Sequence, residues 1–159
     1  MIETLRKKFH GTDVNEVFEN LLQQAMMMCG TKAGTLQLLN EKNNTLEITT
    51  SFGLSDEFVS HFKVVTCEDG SVCGRALAKG ATIVIDDLST DRAFARHLNL
   101  ALQNNIRAVQ STPLITSNGK IVGMISVHFT TSKKIHKVDL AAFESFCTKA
   151  ADKVAELAQ

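Results

Sequence analysis

The side chain best suited to chemistry in this sequence is the thiol of Cys73, which lies in the segment Asp69-Gly70-Ser71-Val72-Cys73-Gly74. A thiol near the N-terminus of a helix ionises more easily, because the positive end of the helix dipole favours the reactive thiolate. The other cysteines, at positions 29, 67 and 147, are scattered and form no CxxC pair. Cys73 is therefore a candidate for catalysis or for redox or metal sensing. The alternative interpretation is that Cys73 is an inert, buried side chain.

Histidines form the second group of side chains that could do chemistry. His97, on a predicted helix, and His128, on a predicted strand, are the best placed to hold haem or a metal ion. No two histidines have the i, i+4 spacing of a helical metal site. We therefore expect unligated histidines with hydrogen-bond partners, no metal and no cofactor. The five histidines are His10, His61, His97, His128 and His136.

A clear β-hairpin places further polar side chains. Its strands are Ile106–Leu114 and Lys120–Phe129, and Asn118-Gly119 supplies the positive φ angles that a tight turn between them needs. Pro113 lacks a donor N–H, which predicts a strand end or a sheet edge at that position.

The two faces of this hairpin differ in polarity. One face of the second strand is apolar and predicts core, whereas the other carries Met124, Ser126 and His128. We assign Gln110 of the first strand to the same mixed face. If helices cover both sides of the sheet, these polar groups need partners, which a bound small molecule or trapped water would supply.

We place the ligand between this mixed face and a helix predicted over Asp91–Asn104. Arg107 can pair with a ligand carboxylate or phosphate through its fork of donors, or it can equally form a salt bridge with Asp86 or Asp87. The candidate ligand-binding residues are Cys73, Asp86, Phe94, His97, Leu98, Arg107, Gln110, Met124, Ser126 and His128.

Apolar spacing and turn signals predict the other elements. The first helix, Asp13–Cys29, has apolar residues at three- and four-residue spacing, a cap at Thr12 or Asp13, and a stop at Gly30. The remaining elements are strands at 33–40, 45–51 and 81–86, short helices at 56–63 and 71–79, a connector at 64–70, and a final helix at 137–157.

The hairpin residues RAVQSTPLI and NGKIVGMISV resemble the closing hairpin of GAF domains, the small-molecule sensing and dimerisation modules of signalling proteins. Phe52-Gly53-Leu54-Ser55-Asp56 resembles the GAF pattern in which a glycine follows the second strand. This resemblance implies an α+β, PAS-related fold with a central antiparallel sheet of five or six strands. Terminal helices would cover one face, and short helices and loops would cover a pocket on the other. Residues 1–12 are then a lead-in, and 13–159 form a single domain.

Specialised GAF branches match less well. The segment around Cys73 looks like the Gly-Val-Cys-Gly motif of free methionine-R-sulfoxide reductases. However, the spacing from Cys67 is shorter, no cysteine lies between His97 and Pro113, and the acidic residues before the closing hairpin lack clear counterparts. A bilin-bearing Cys-His pair is absent from the sequence, and Asp91-Arg92-Ala93-Phe94 only faintly resembles the cyclic-nucleotide signature.

The amino-acid composition argues against two classes of binding partner. The 159 residues, 44% of them hydrophobic, fit one domain with one sizeable core. Seventeen basic and seventeen acidic residues give a net charge of zero, which argues against nucleic acid or an anionic membrane as a partner. We see no apolar stretch near the roughly 20 residues of a membrane span and no signal peptide, so we expect a cytoplasmic protein with free thiols.

These observations predict a non-catalytic regulatory sensor of signal transduction, of the kind found in two-component systems. It would bind an unknown small molecule and transmit the signal through terminal helices at a homodimer interface. The apolar stripe of the final helix has no stop signal, as expected if it continues into a C-terminal output domain, although a natural terminus looks the same. The alternatives are a thiol-dependent methionine sulfoxide reductase and a ligand-free dimerisation module.

Overall fold

The structure, a computed structural model, describes residues 13–132 and 137–158. Its helices are α1 (Val14–Cys29), α2 (Asp56–His61), α3 (Val72–Lys79), α4 (Leu98–Gln103) and α5 (Lys137–Ala158), with 3-10 turns at Leu88–Thr90 and Arg92–His97. Its strands are β1 (Ala33–Asn40), β2 (Thr45–Phe52), β3 (Val64–Val65), β4 (Ile83–Ile85), β5 (Ala108–Ile115) and β6 (Ile121–Phe129).

The strands form one antiparallel sheet in the order β3-β2-β1-β6-β5-β4. The predicted α+β class is confirmed, and the described part of the chain supplies six strands. β4 pairs only with Val109–Ser111, so the part of β5 that holds Pro113 is a local sheet edge on that side. A residue without an N–H donor is tolerated there.

Short polar side chains and glycines set the helix ends as the sequence predicts. The Asp13 carboxylate accepts hydrogen bonds from the backbone N–H groups of Asn15 and Glu16 at 3.0 and 3.3 Å, and Gly30 ends α1 at φ +68°. Ser55 and Ser71 cap α2 and α3 in the same way. In the hairpin turn only Gly119, not Asn118, has the positive φ that was predicted for both.

Two predictions fail between residues 64 and 104. The connector contains the two-residue strand β3, which extends the sheet beyond β2. The predicted helix Asp91–Asn104 is a 3-10 segment followed by α4. Arg96 and His97 bond the backbone of the loop before α3, and these ties hold the first half in the tighter winding.

The sheet separates two hydrophobic clusters. We call the side covered by α1 and α5 the helix face; its core includes Phe18, Leu36, Ile125, Val127 and Phe143. We call the other side the pocket face; it is covered by α2, α3, the 3-10 segment and α4, which together we call the roof. The packing of the first and last helices on the apolar face is as predicted. No helix in the described residues is long and apolar enough to cross a membrane.

Close strand packing at Gly123 gives a stability prediction. A Cβ there would lie 2.2 Å from the Gln37 carbonyl oxygen, whereas a Cβ on Gly34 would lie 3.0 Å from its nearest neighbour. We expect Gly123→Ala to lower the free energy of unfolding by about 1–3 kcal/mol, because β1 and β6 must separate to admit the methyl group. Gly34→Ala is the matched control and should lower the free energy of unfolding by less than Gly123→Ala does. Urea unfolding measures both, and equal or reversed losses would contradict this packing.

Candidate functional site

A small cavity lies between the pocket face and the roof, with a volume of about 30 Å³. A water needs at least about 10–15 Å³ on this measure, so the space fits roughly two waters or a molecule of a few non-hydrogen atoms. It is lined by Thr35, Gln37, Ile48, Phe58, Phe62, Ser71, Val72, Cys73, Phe94, Ala101, Ile106, Val109, Ser111, Ser126 and His128.

The floor of the cavity is built by strand register. Ser126 of β6 lies opposite Thr35 of β1 on one side and opposite Ser111 of β5 on the other. The Ser111 and Ser126 hydroxyl oxygens are 2.7 Å apart and share a hydrogen bond. Residues directly opposite each other in an antiparallel sheet share a face. The central strands therefore present a buried row of hydroxyl groups.

A chain of polar contacts runs from this floor into α3. The Gln37 amide nitrogen donates to Cys73 Sγ at 3.5 Å, and the Cys73 thiol donates to Ser71 Oγ at 3.6 Å. Ser71 Oγ in turn donates to Asp69 Oδ1 at 2.5 Å and accepts the Gly74 N–H. The chain fixes the orientation of the Gln37 side chain, because its nitrogen is the end that faces the sulfur.

Cys73 is buried, and burial raises the pKa of its thiol above the ordinary value, more than its hydrogen bonds with Gln37 and Ser71 lower it. The position near the start of α3 is as predicted. Desolvation there opposes the thiolate that the helix dipole was expected to favour.

His128 lies on the floor, and its ring is perpendicular to that of Phe58 at a centroid distance of 5.6 Å. Burial lowers the pKa of its imidazole to about 4, although a hydrogen bond with the Ala33 backbone opposes this. Nδ1 has no hydrogen-bond partner in the described structure. In the neutral ring it accepts or donates according to which nitrogen carries the proton.

The roof packs aromatic rings over the cavity. Phe62 lies 4.7 Å from Phe58 and 6.3 Å from Phe94 between ring centroids, and both His61 and His97 pack against Phe62. His97 Nε2 donates to the Asp69 carbonyl at 2.7 Å, which leaves His97 Nδ1 to accept from His61 Nε2 at 2.8 Å. The histidine pair therefore ties α2 to the loop before α3.

Further contacts hold the roof together. The Asp69 carbonyl also accepts from Arg96 Nε at 2.7 Å. Gly70, at φ +81°, packs so closely on the Ala93 backbone that a Cβ would lie 2.2 Å from its carbonyl oxygen. Arg75 of α3 makes a bidentate pair with Asp91 at 2.9 and 3.3 Å. α3 and the 3-10 segment therefore form one connected roof.

The family model described as GAF domain matches residues 11–155, which is most of the chain. The chain belongs to the GAF domain family. This confirms the family resemblance seen in the closing hairpin, and the six-stranded sheet with its helices is the GAF-like fold. No curated protein has a matching sequence.

Solved structures share this fold at low sequence identity. A domain from a protein assigned as a two-component sensor histidine kinase of Sinorhizobium meliloti 1021 is 14% identical, with a TM-score of 0.75 over 92% of this chain and 94% of that one. A GAF domain/HD domain protein from Geobacter sulfurreducens is 17% identical, with a TM-score of 0.74 over 92% and 94%. Free methionine-R-sulfoxide reductase from Neisseria meningitidis, in complex with its substrate, is 19% identical, with a TM-score of 0.66 over 92% and 81%.

Seven of the residues singled out in the sequence lie in or beside the cavity of this GAF domain. Cys73, Phe94, Ser126 and His128 line it. Three more contribute to its surroundings, Met124 and Leu98 in the pocket-face cluster and His97 in the roof.

The other three lie elsewhere. Gln110 is buried on the helix face, because its partner across the hairpin is Val127 and not Ser126. Arg107 makes a half-exposed salt bridge to Asp87 at 3.3 Å, one of the two alternatives foreseen, and Asp86 is exposed. None of the three lines the cavity.

Several residues that line the cavity were not identified from the sequence. Phe58 and Phe62 have i, i+4 spacing on one short helix, and this could have marked them as neighbours. Ile48 follows Leu46 at strand spacing, so alternation along β2 could have placed it on a sheet face. Thr35 and Gln37 of β1 also lie on this face, opposite Ser126 and Met124 of β6. Within 13–132 and 137–158, no three His, Cys, Asp or Glu side chains are grouped to hold a metal ion.

The low pKa of His128 predicts acid-sensitive stability. In the unfolded chain this imidazole becomes protonated below pH 6.5. In the folded chain it stays neutral down to about pH 4. Stability should therefore be complete above pH 6.5 and fall as the pH drops through this window, by about 3 kcal/mol in all. Urea unfolding at pH 7, 6 and 5 should show a steeper loss for the wild type than for His128→Phe. Identical slopes would refute the assignment, since the other histidines contribute equally to both proteins.

Proposed function

We propose that this GAF domain is a non-catalytic regulatory sensor that binds a small molecule in the cavity between the pocket face and the roof. Binding would be transmitted through α1 and α5 at a homodimer interface to an output domain. The observation that carries the proposal is a roofed cavity lined by buried polar groups, two of which, Gln37 and His128, retain an atom with no partner in the described structure. Buried polar atoms are normally paired.

The sheet offers a physical route for the signal. Along β6, Ser126 and His128 line the cavity, while Ile125 and Val127, which alternate with them, pack into the helix-face core. A shift of this strand on ligand binding therefore also changes the packing beneath α1 and α5. Coupling requires that the ligand bind one arrangement of these helices more tightly than the other.

A polar clamp also joins α5 to the central hairpin. Asp152 of α5 accepts hydrogen bonds from the Ser117 backbone N–H, at 2.8 Å, and from the Ser117 hydroxyl. These hydrogen bonds hold the pKa of the Asp152 carboxyl below its usual value. The carboxylate is the form that makes the clamp, so the hairpin turn and α5 should move together.

The end of α1 supports a contact with a second copy. Met27 and Met28 are 80% and 50% exposed, and methionine is an adaptable apolar contact residue. The fold is also shared with a domain of a protein assigned as a sensor histidine kinase. Both observations agree with a regulatory module whose terminal helices meet in a dimer.

Native mass spectrometry of freshly purified protein tests ligand binding and dimerisation together. We expect a dimer whose mass exceeds that of two chains by a small molecule, released on denaturation. Ser126→Leu fills the cavity and should lose the added mass. Thr112→Val is the matched control, because it also removes a buried hydroxyl but lies opposite Ile125 on the helix face. It should keep the added mass.

Other outcomes would count against the sensor. A dimer with no added mass in any variant would favour a ligand-free dimerisation module. Added mass that survives Ser126→Leu would place the ligand outside this cavity. A monomer at all concentrations would remove the proposed route through a homodimer interface.

The competing hypothesis is a thiol enzyme that acts on free methionine sulfoxide. The observation that favours it is the fold shared with such a reductase. Its chemistry needs an attacking thiolate and a resolving thiol within reach. The raised pKa of the buried Cys73 thiol does not favour the first requirement. We therefore expect only background turnover of free methionine-R-sulfoxide with dithiothreitol, equal in wild type and Cys73→Ser. Turnover above background that Cys73→Ser abolishes would make the protein an enzyme.

A further inference from the structure

Two buried atoms define what the cavity can bind. Gln37 is 1% exposed and His128 is 6% exposed, and both line the cavity. Gln37 Oε1 and His128 Nδ1 have no hydrogen-bond partner in the described structure. An unpaired buried polar group costs free energy that a suitable guest would recover.

Gln37 Oε1 is a hydrogen-bond acceptor, and His128 Nδ1 accepts or donates according to the tautomer of the ring. The Gln37 nitrogen donates toward Cys73, whose thiol donates to Ser71, so the carbonyl oxygen is the free end of the amide. A guest must therefore donate a hydrogen bond to Gln37 Oε1, and a guest that also carries an acceptor matches either tautomer of His128.

The remaining lining argues against a charged guest. None of the lining side chains is an Asp, Glu, Lys or Arg, and three are phenylalanines. An ion would lose its hydration with no opposite charge to replace it. An anion would in addition face the lone pairs of Gln37 Oε1. Size sets the last limit, because about 30 Å³ admits only a few non-hydrogen atoms.

We propose that the cavity selects an uncharged hydrogen-bond donor of a few non-hydrogen atoms, of the class of the simple primary amides. This inference rests on the proposed sensor function and specifies the chemistry of its ligand. The guest donates an N–H to Gln37 Oε1 or forms a hydrogen bond with His128 Nδ1, with its apolar part against the phenylalanines. The register places the Thr35–Ser126 pair between the two unpaired atoms, so a molecule of this size reaches one of them.

Three probes of nearly identical shape test this class. Acetamide is neutral and donates, acetone is neutral and cannot donate, and acetate is charged and only accepts. Each is titrated into the uniformly ¹⁵N-labelled chain, and amide chemical shifts are followed by NMR. We expect saturable shifts in β1 and β6 with acetamide at roughly millimolar concentration. Acetone and acetate should bind at least about tenfold more weakly, because each lacks the N–H.

Variants test the two unpaired atoms. Gln37→Leu and His128→Phe each remove one of them, and at least one of these variants should weaken acetamide binding by about tenfold. Gln110→Leu is the matched control: Gln110 is equally buried and also has an unpartnered Oε1, but it lies on the helix face. It should bind acetamide as the wild type does. Dispersed spectra show that each variant is folded.

The outcomes separate this inference from the sensor proposal. Acetone or acetate binding in the cavity as tightly as acetamide overturns the donor class but leaves a ligand site. No saturable shift with any probe, or acetamide binding that neither Gln37→Leu nor His128→Phe weakens, also overturns the inference. The sensor proposal itself is tested separately, by the mass of the purified dimer in native mass spectrometry.

Discussion

The structure depends on keeping a half-polar sheet face away from bulk water. Ser111, Ser126, Gln37 and His128 are buried under the roof although each carries a group that water would bind. Each such group must find a partner inside the protein or cost free energy. The serine pair, and the chain from Gln37 through Cys73 to Asp69, meet this requirement in part. The unpaired atoms of Gln37 and His128 are what remains, and they lie on the floor of the cavity.

Much of the fold could be predicted because its signals are local. Asp13, Ser55 and Ser71 cap their helices through side chains that bond the next turn, and Gly30 ends α1 in the left-handed conformation that glycine adopts without strain. The alternation in β6 likewise separated Ile125 and Val127 from Ser126 and His128. These features depend on residues within a few positions of one another.

The candidate site was less predictable because it depends on register and on distant contacts. Gln110 was assigned to the wrong face because alternation within β5 does not say which alternate set lies opposite Ser126. Pairing across the hairpin decides this, and a slip of one residue exchanges the faces. The bond between His61 and His97 spans 36 residues, and the packing of Gly70 on Ala93 joins separate segments. Single-sequence periodicity contains no information about such pairs.

The connected roof limits how this GAF domain could respond to a ligand. Because the Asp69 carbonyl accepts from both Arg96 and His97, and Arg75 holds Asp91, single side chains of the roof are not free to open independently. Admission of a guest therefore displaces the roof as a unit or shifts the floor strands. Only the second movement directly repacks the core beneath the terminal helices, since neighbouring β6 residues face opposite sides of the sheet. A guest that moved the roof alone would bind with equal affinity to both helix arrangements and would shift nothing. The sheet floor is accordingly the element through which differential affinity must act.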